Sequence, residues 1–169
     1  VLLSKHSDWR GFTLTELSVA LGILAILITL VITNYERVLG RSEKIRCISN
    51  LRGLYGCFAS YVSDQGIWPQ IPEDIDEEDA YADWWLREMK PYGATQALWT
   101  CPTIRRAQAS LPENYRNKIH YTPTQFDAHP GRAYQWPTQP WLIEIANAHG
   151  HGALIIFTNG SVRELNDLL

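Results

Sequence analysis

An α+β fold is predicted for this 169-residue chain: a long N-terminal spine helix, transmembrane in its first half, packed against a small antiparallel β-sheet head. Three observations lead there. The apolar residues concentrate in one run, Phe12 to Ile32; helical spacing without proline continues from Asn34 to Tyr61; and short strand-like runs near the C-terminus are punctuated by Asn159-Gly160.

The length fits one domain with a modest extension, since domains run about 100 to 150 residues. A net charge of −3 and a pI near 5.9 provide no basic field to neutralise phosphates, so nucleic acid is not expected as a partner. Three cysteines are too few for a disulfide scaffold and lack the C-x-x-C spacing of a zinc ribbon.

Residues 1 to 11, VLLSKHSDWRG, carry Lys5 and Arg10 against Asp8, a positive flank that stays on the cytoplasmic side of a membrane. The run from Phe12 to Ile32 then reaches about 30 Å as a helix, the thickness of a hydrocarbon core. It passes into Thr33, Asn34, Tyr35, Glu36 and Arg37 without the small-residue exit of a secretory signal. Glu16 is the anomaly in this run. A lone acid costs on the order of 3 kcal/mol at mid-bilayer unless it is neutralised, which marks it as a functional candidate.

Gly11-Phe12-Thr13-Leu14-Thr15-Glu16, with the basic leader before it and the apolar helix behind, resembles the class III leader of type IV pilins and pseudopilins. The resemblance implies that prepilin peptidase cuts between Gly11 and Phe12 and N-methylates Phe12. It also implies that Glu16 pairs with the new N-terminal amine of a neighbouring subunit. Two opposite charges in a low-dielectric medium attract far more strongly than in water, and each offsets part of the other's desolvation. The implied organisation is a leader over 1–11, a transmembrane and filament-core helix over 12–33, and a helix continuation with its globular head over 34–169. The implied partners are prepilin peptidase, other pilin or pseudopilin subunits and the inner membrane, with the head in the periplasm or on an extracellular filament. The leader is shared by pili and type II secretion pseudopili; the tryptophan-rich, irregular head favours a pseudopilin or minor subunit.

Beyond the membrane half, apolar residues recur at Val38, Ile45, Ile48, Leu51, Leu54, Phe58, Tyr61 and Val62, which predicts one helix from Phe12 to about Ser63. A break at Gly40 into an anchor and a separate domain is the alternative. A second resemblance covers scattered positions: Arg46 to Arg52, Tyr61, Asp64, Gly66 and Pro69, the Trp99-Thr100-Cys101-Pro102 segment, and His149 separated by nine residues from Asn159-Gly160. These are similar to pilin-like proteins named for a His-X9-Asp-Gly motif, with Asn159 in place of the aspartate. That departure puts any carboxylate role there in doubt but keeps a turn, expected as a type I′ hairpin.

Cys47 and Cys57 stand about 15 Å apart on the expected helix, too far to pair. Cys101 is the candidate partner of Cys47, in a compartment that permits a bridge, and a reduced pair remains the other possibility. Cys57 is expected as a small core residue.

Seven carboxylates between Glu73 and Asp83 lack the order of a calcium loop and suit a helix start. Asp76 is expected to cap a helix from Glu77 to Lys90, closed by Pro91, with Tyr81, Trp84, Trp85 and Met89 inside. Residues 102 to 140 show no period and are expected as a long loop with at most short strands. Trp141 to Ala146, Ala153 to Thr158 and Ser161 to Leu165 are expected strands.

Two other functions compete with this reading. His120, His129, His149 and His151 suggest a metalloenzyme, yet no acid or cysteine at recognised spacing joins them, and no nucleophile elbow or phosphate loop exists. No catalytic residue, cofactor or metal is therefore expected. A membrane-anchored binding module, with carbohydrate as a candidate ligand, is suggested by Trp68, Trp84, Trp85, Trp99, Trp136 and Trp141. Exposed coplanar rings favour it, and buried ones remove it.

Overall fold

The computed structural model describes residues 12–75 and 77–169. Gly11 and the leader 1–11, like the proposed cap Asp76, lie outside the described residues. One helix, α1, runs over Leu14–Gln65 and passes through Gly40 without interruption. The chain divides into two compact units, Val1–Leu39 and Gly40–Leu169.

In the first unit the described residues are α1 backbone with exposed apolar side chains on every side, from Leu14 to Ile32. This stretch is long and apolar enough to cross a membrane.

In the second unit α1 presents Cys47, Leu51, Leu54, Phe58 and Val62 to the core at spacings of three and four residues. Val38 and Ile45, expected on this face, are 63% and 67% exposed. Helical phase explains the correction. At 100° per residue Ile45 stands about 120° away from Leu51, whereas Cys47 falls about 40° from it and takes the inward position. The sheet is a four-stranded antiparallel meander: β1 Tyr121–Pro123, β2 Pro140–Glu144, β3 Leu154–Phe157 and β4 Val162–Glu164. β1 arises within the expected loop, pairing Tyr121 with Glu144 and Pro123 with Leu142. With three residues and a terminal proline it is too short to show a period.

Helix α2 spans Glu78–Glu88, one residue later at its start than expected, with Glu77 in the N-cap position and without a side-chain cap. It ends before Lys90 because Pro91 enters a short 3-10 turn, Lys90–Tyr92. A further helix, α3, covers Pro102–Ala107. The core is aromatic: the Phe58 ring lies 4.9 Å from Trp68, 5.4 Å from Trp85 and 6.1 Å from Trp99. Trp68, Trp84, Trp85, Trp99 and Trp141 are buried, and Trp136 is the exposed member of the set. A platform of stacked surface tryptophans, the feature a carbohydrate-binding head requires, is absent among the described residues.

Candidate functional site

The N-terminal turn of α1 holds the first candidate site. Thr13 precedes the helix, and Glu16 is its third residue. The Glu16 Oε2 accepts the Thr13 backbone N–H at 2.9 Å and the Thr13 hydroxyl at 2.7 Å, while the Glu16 N–H donates to Thr13 Oγ1 at 3.3 Å. This is a capping box, in which residues three apart satisfy each other's orphan backbone groups. The sequence reading passed over it, although Thr-x-x-Glu before an apolar run is its signal. Phe12 is 85% exposed just ahead of it.

The other polar side chains of this segment are satisfied on their own helix. Thr15 bonds the Thr13 hydroxyl, Ser18 donates to the Leu14 carbonyl and Thr29 to Ala25. Thr33 donates to the Thr29 carbonyl, and Asn34 Nδ2 to that of Leu30. Such back-bonding suits a helix whose flanks meet no water, where an unsatisfied polar group costs several kcal/mol.

A second candidate site lies in the Gly40–Leu169 unit. Cys47 comes from α1, Cys101 from the turn entering α3, Glu144 from the end of β2, and His149 from the β2–β3 loop. Their ligand atoms all lie within 4.8 Å of one another. His149 Nε2 stands 3.3 Å from Glu144 Oε1 and 3.7 Å from Cys101 Sγ, and both the His149 and Glu144 side chains are almost wholly enclosed. Asn147 shapes the loop by accepting the Gly150 and Gly152 N–H groups on Oδ1, each at 3.0 Å. Burial opposes a charged His149, but the Cys101 sulfur and the Glu144 carboxylate outweigh it and raise the imidazole to about 9. The Cys101 contact lowers the Cys47 thiol, and the same contact, with burial, pushes Cys101 up.

Cys47 and Cys101 are thus brought together, and both are free thiols in this structure. His149 joins them, whereas His129 and His151 are exposed and apart. Glu144 was missed by sequence reasoning; its signal is an acid in step with Leu142 on an inward-facing strand position. Asn159 and Gly160 occupy the β3–β4 turn, where Gly160 N–H donates to the Phe157 carbonyl at 2.8 Å and Phe157 N–H to Ser161 at 3.0 Å. Gly160 has φ +74° and Asn159 does not enter the left-handed region, so the turn is type I with a glycine bulge and not type I′.

The chain is similar to two curated proteins. It is 33% identical over 60 residues to the fimbrial protein EcpC of Eikenella corrodens, covering 36% of this chain and 39% of that protein. It is 32% identical over 66 residues to the type IV major pilin protein PilA of Myxococcus xanthus, covering 39% of this chain and 30% of that protein. The chain therefore spans well under half the length of each relative it matches, and the similarity supports a pilin-like relationship over that part. No family model matches the chain, and no solved structure is significantly similar to it.

Proposed function

We propose that this chain is a structural subunit of a type IV pilus-like or type II secretion pseudopilus filament. It is made as a prepilin, cut between Gly11 and Phe12 by prepilin peptidase, N-methylated on Phe12, and held in the inner membrane by residues 12–33 until assembly. The observation that carries this reading is a helix apolar on every side whose polar side chains bond within the helix itself. That surface suits first lipid and then the packed core of a filament. The similarity to a fimbrial protein and a type IV pilin supports the same reading.

In this reading Glu16 has two tasks. Its Oε2 closes the capping box on Thr13. Its Oε1 takes the N-terminal amine of the neighbouring subunit, a contact strong only where water is excluded. The anchored binding module is not favoured, because five of the six head tryptophans are core. No enzymatic activity is proposed.

The test is Glu16→Val beside Glu16→Asp, produced in a host with prepilin peptidase and an assembly platform, with the sheared filament fraction quantified by immunoblot. The Val variant should be processed and membrane-bound yet absent from filaments. Equal incorporation of Glu16→Val and wild type would overturn the pairing role.

A further inference from the structure

We propose that Cys47, Cys101, Glu144 and His149 form a structural zinc site in the Gly40–Leu169 unit. The proposal stands independently of the filament reading.

The four donor atoms lie close enough together to share one ion. Zinc binds sulfur near 2.3 Å and nitrogen or oxygen near 2.0 to 2.2 Å, so its four donors sit about 3.3 to 3.8 Å from one another. His149 Nε2 lies 3.3 Å from Glu144 Oε1 and 3.7 Å from Cys101 Sγ. The Cys47 sulfur completes a set in which no two ligand atoms are more than 4.8 Å apart.

A second observation concerns charge. Glu144 Oε1 is buried and makes no hydrogen bond of good geometry; its near polar neighbour is His149 Nε2 at 3.3 Å, while Oε2 accepts the Leu154 N–H at 3.3 Å. A buried carboxylate requires a positive partner, which either a protonated His149 or a metal ion held by both side chains supplies.

The donor chemistry selects the ion. Two sulfurs and an imidazole suit zinc, whereas calcium and magnesium require oxygen ligands. On binding, the thiol protons and any imidazolium proton leave to water, and two thiolates and a carboxylate meet the dication. Four protein ligands in an enclosed site leave no open position for substrate, which makes the role structural. The ion would staple α1, the turn before α3, the end of β2 and the β2–β3 loop, so its binding energy becomes folding energy. A Cys47–Cys101 disulfide would use the same sulfurs and exclude the ion.

The test uses the full chain, purified in detergent under reducing conditions without a histidine tag, with zinc measured by plasma mass spectrometry. One zinc per chain is expected, and cobalt(II) exchange should give thiolate-to-cobalt charge-transfer absorption. Cys57→Ala should keep both signals. Glu144→Gln preserves shape and should lower zinc affinity at least about tenfold. The Cys47→Ser/Cys101→Ser variant should abolish the charge-transfer band, with circular dichroism reporting whether its helix persists. A folded, reduced wild-type chain with no stoichiometric zinc and no cobalt band would overturn the proposal. So would peptide mapping that finds Cys47 and Cys101 joined in the chain as isolated.

Discussion

The Tyr55 hydroxyl donates to the Thr158 carbonyl at 2.8 Å and ties the C-terminal part of α1 to the turn between β3 and β4. The Tyr55 ring also lies 4.8 Å from Trp141 and closes over Gly160, where an added Cβ would meet Cε1 at 3.4 Å. Tyr55→Phe should cost about 1 kcal/mol, the usual net value of one such bond. Gly160→Ala should cost about as much or more, because alanine is strained at φ +74°. Urea midpoints of the detergent-solubilised chain check both.

Phe58 is the hub of the aromatic core, fully buried among Trp68, Trp85 and Trp99. Phe58→Ala should destabilise by about 3 to 5 kcal/mol, from lost burial plus the cavity left behind. That is a large share of the stability of an ordinary domain. Tryptophan fluorescence during unfolding reads the effect directly.

His120 is buried, and its Nδ1 accepts the Cys101 backbone N–H at 3.0 Å. Burial, the largest influence, holds the imidazole below its ordinary value of 6.5. The unfolded chain therefore takes up a proton at a pH where the folded chain still refuses it. Stability from this group is present above about pH 6.5 and is lost as pH falls through the folded value. His120→Gln should be less stable than wild type at neutral pH, and the gap should narrow as pH falls below about 6.5. Unfolding midpoints of the two proteins across that range measure it.

Gly152 has φ +98°, and a Cβ there would stand 3.0 Å from the Asn166 nitrogen and from Leu165 Cβ. Gly152→Ala should therefore cost upward of about 1 kcal/mol and loosen the loop that carries His149. At Gly53 the obstacle is the far end of the Leu98 side chain, 2.9 Å away. Gly53→Ala should stay within about 1 kcal/mol of wild type, since helix propensity favours alanine by a similar amount. Comparing thermal midpoints separates the two cases.

The spine was legible because an apolar run and a proline-free helical stripe are long signals, and β2 to β4 because each ends at turn residues. The inward phase was misjudged at Val38 and Ile45, since apolar type alone does not fix which face a core occupies. Short strands were allowed within residues 102 to 140, but β1 could not be located there because its partner, β2, supplies the pairing that its own three residues do not announce. Cys47, Cys101, Glu144 and His149 span a hundred positions with no spacing in common, and only the fold makes them neighbours. The capping box of Thr13 and Glu16 was missed as well, although its two residues stand only three apart in the chain.

The most direct measurement is the mass of the mature N-terminus after expression with and without prepilin peptidase, beside a Gly11→Ala control. A product beginning at N-methylated Phe12, formed only with the peptidase and lost in the control, is the predicted result. An uncut chain, or one cut behind Ile32 by an ordinary signal peptidase, would contradict it.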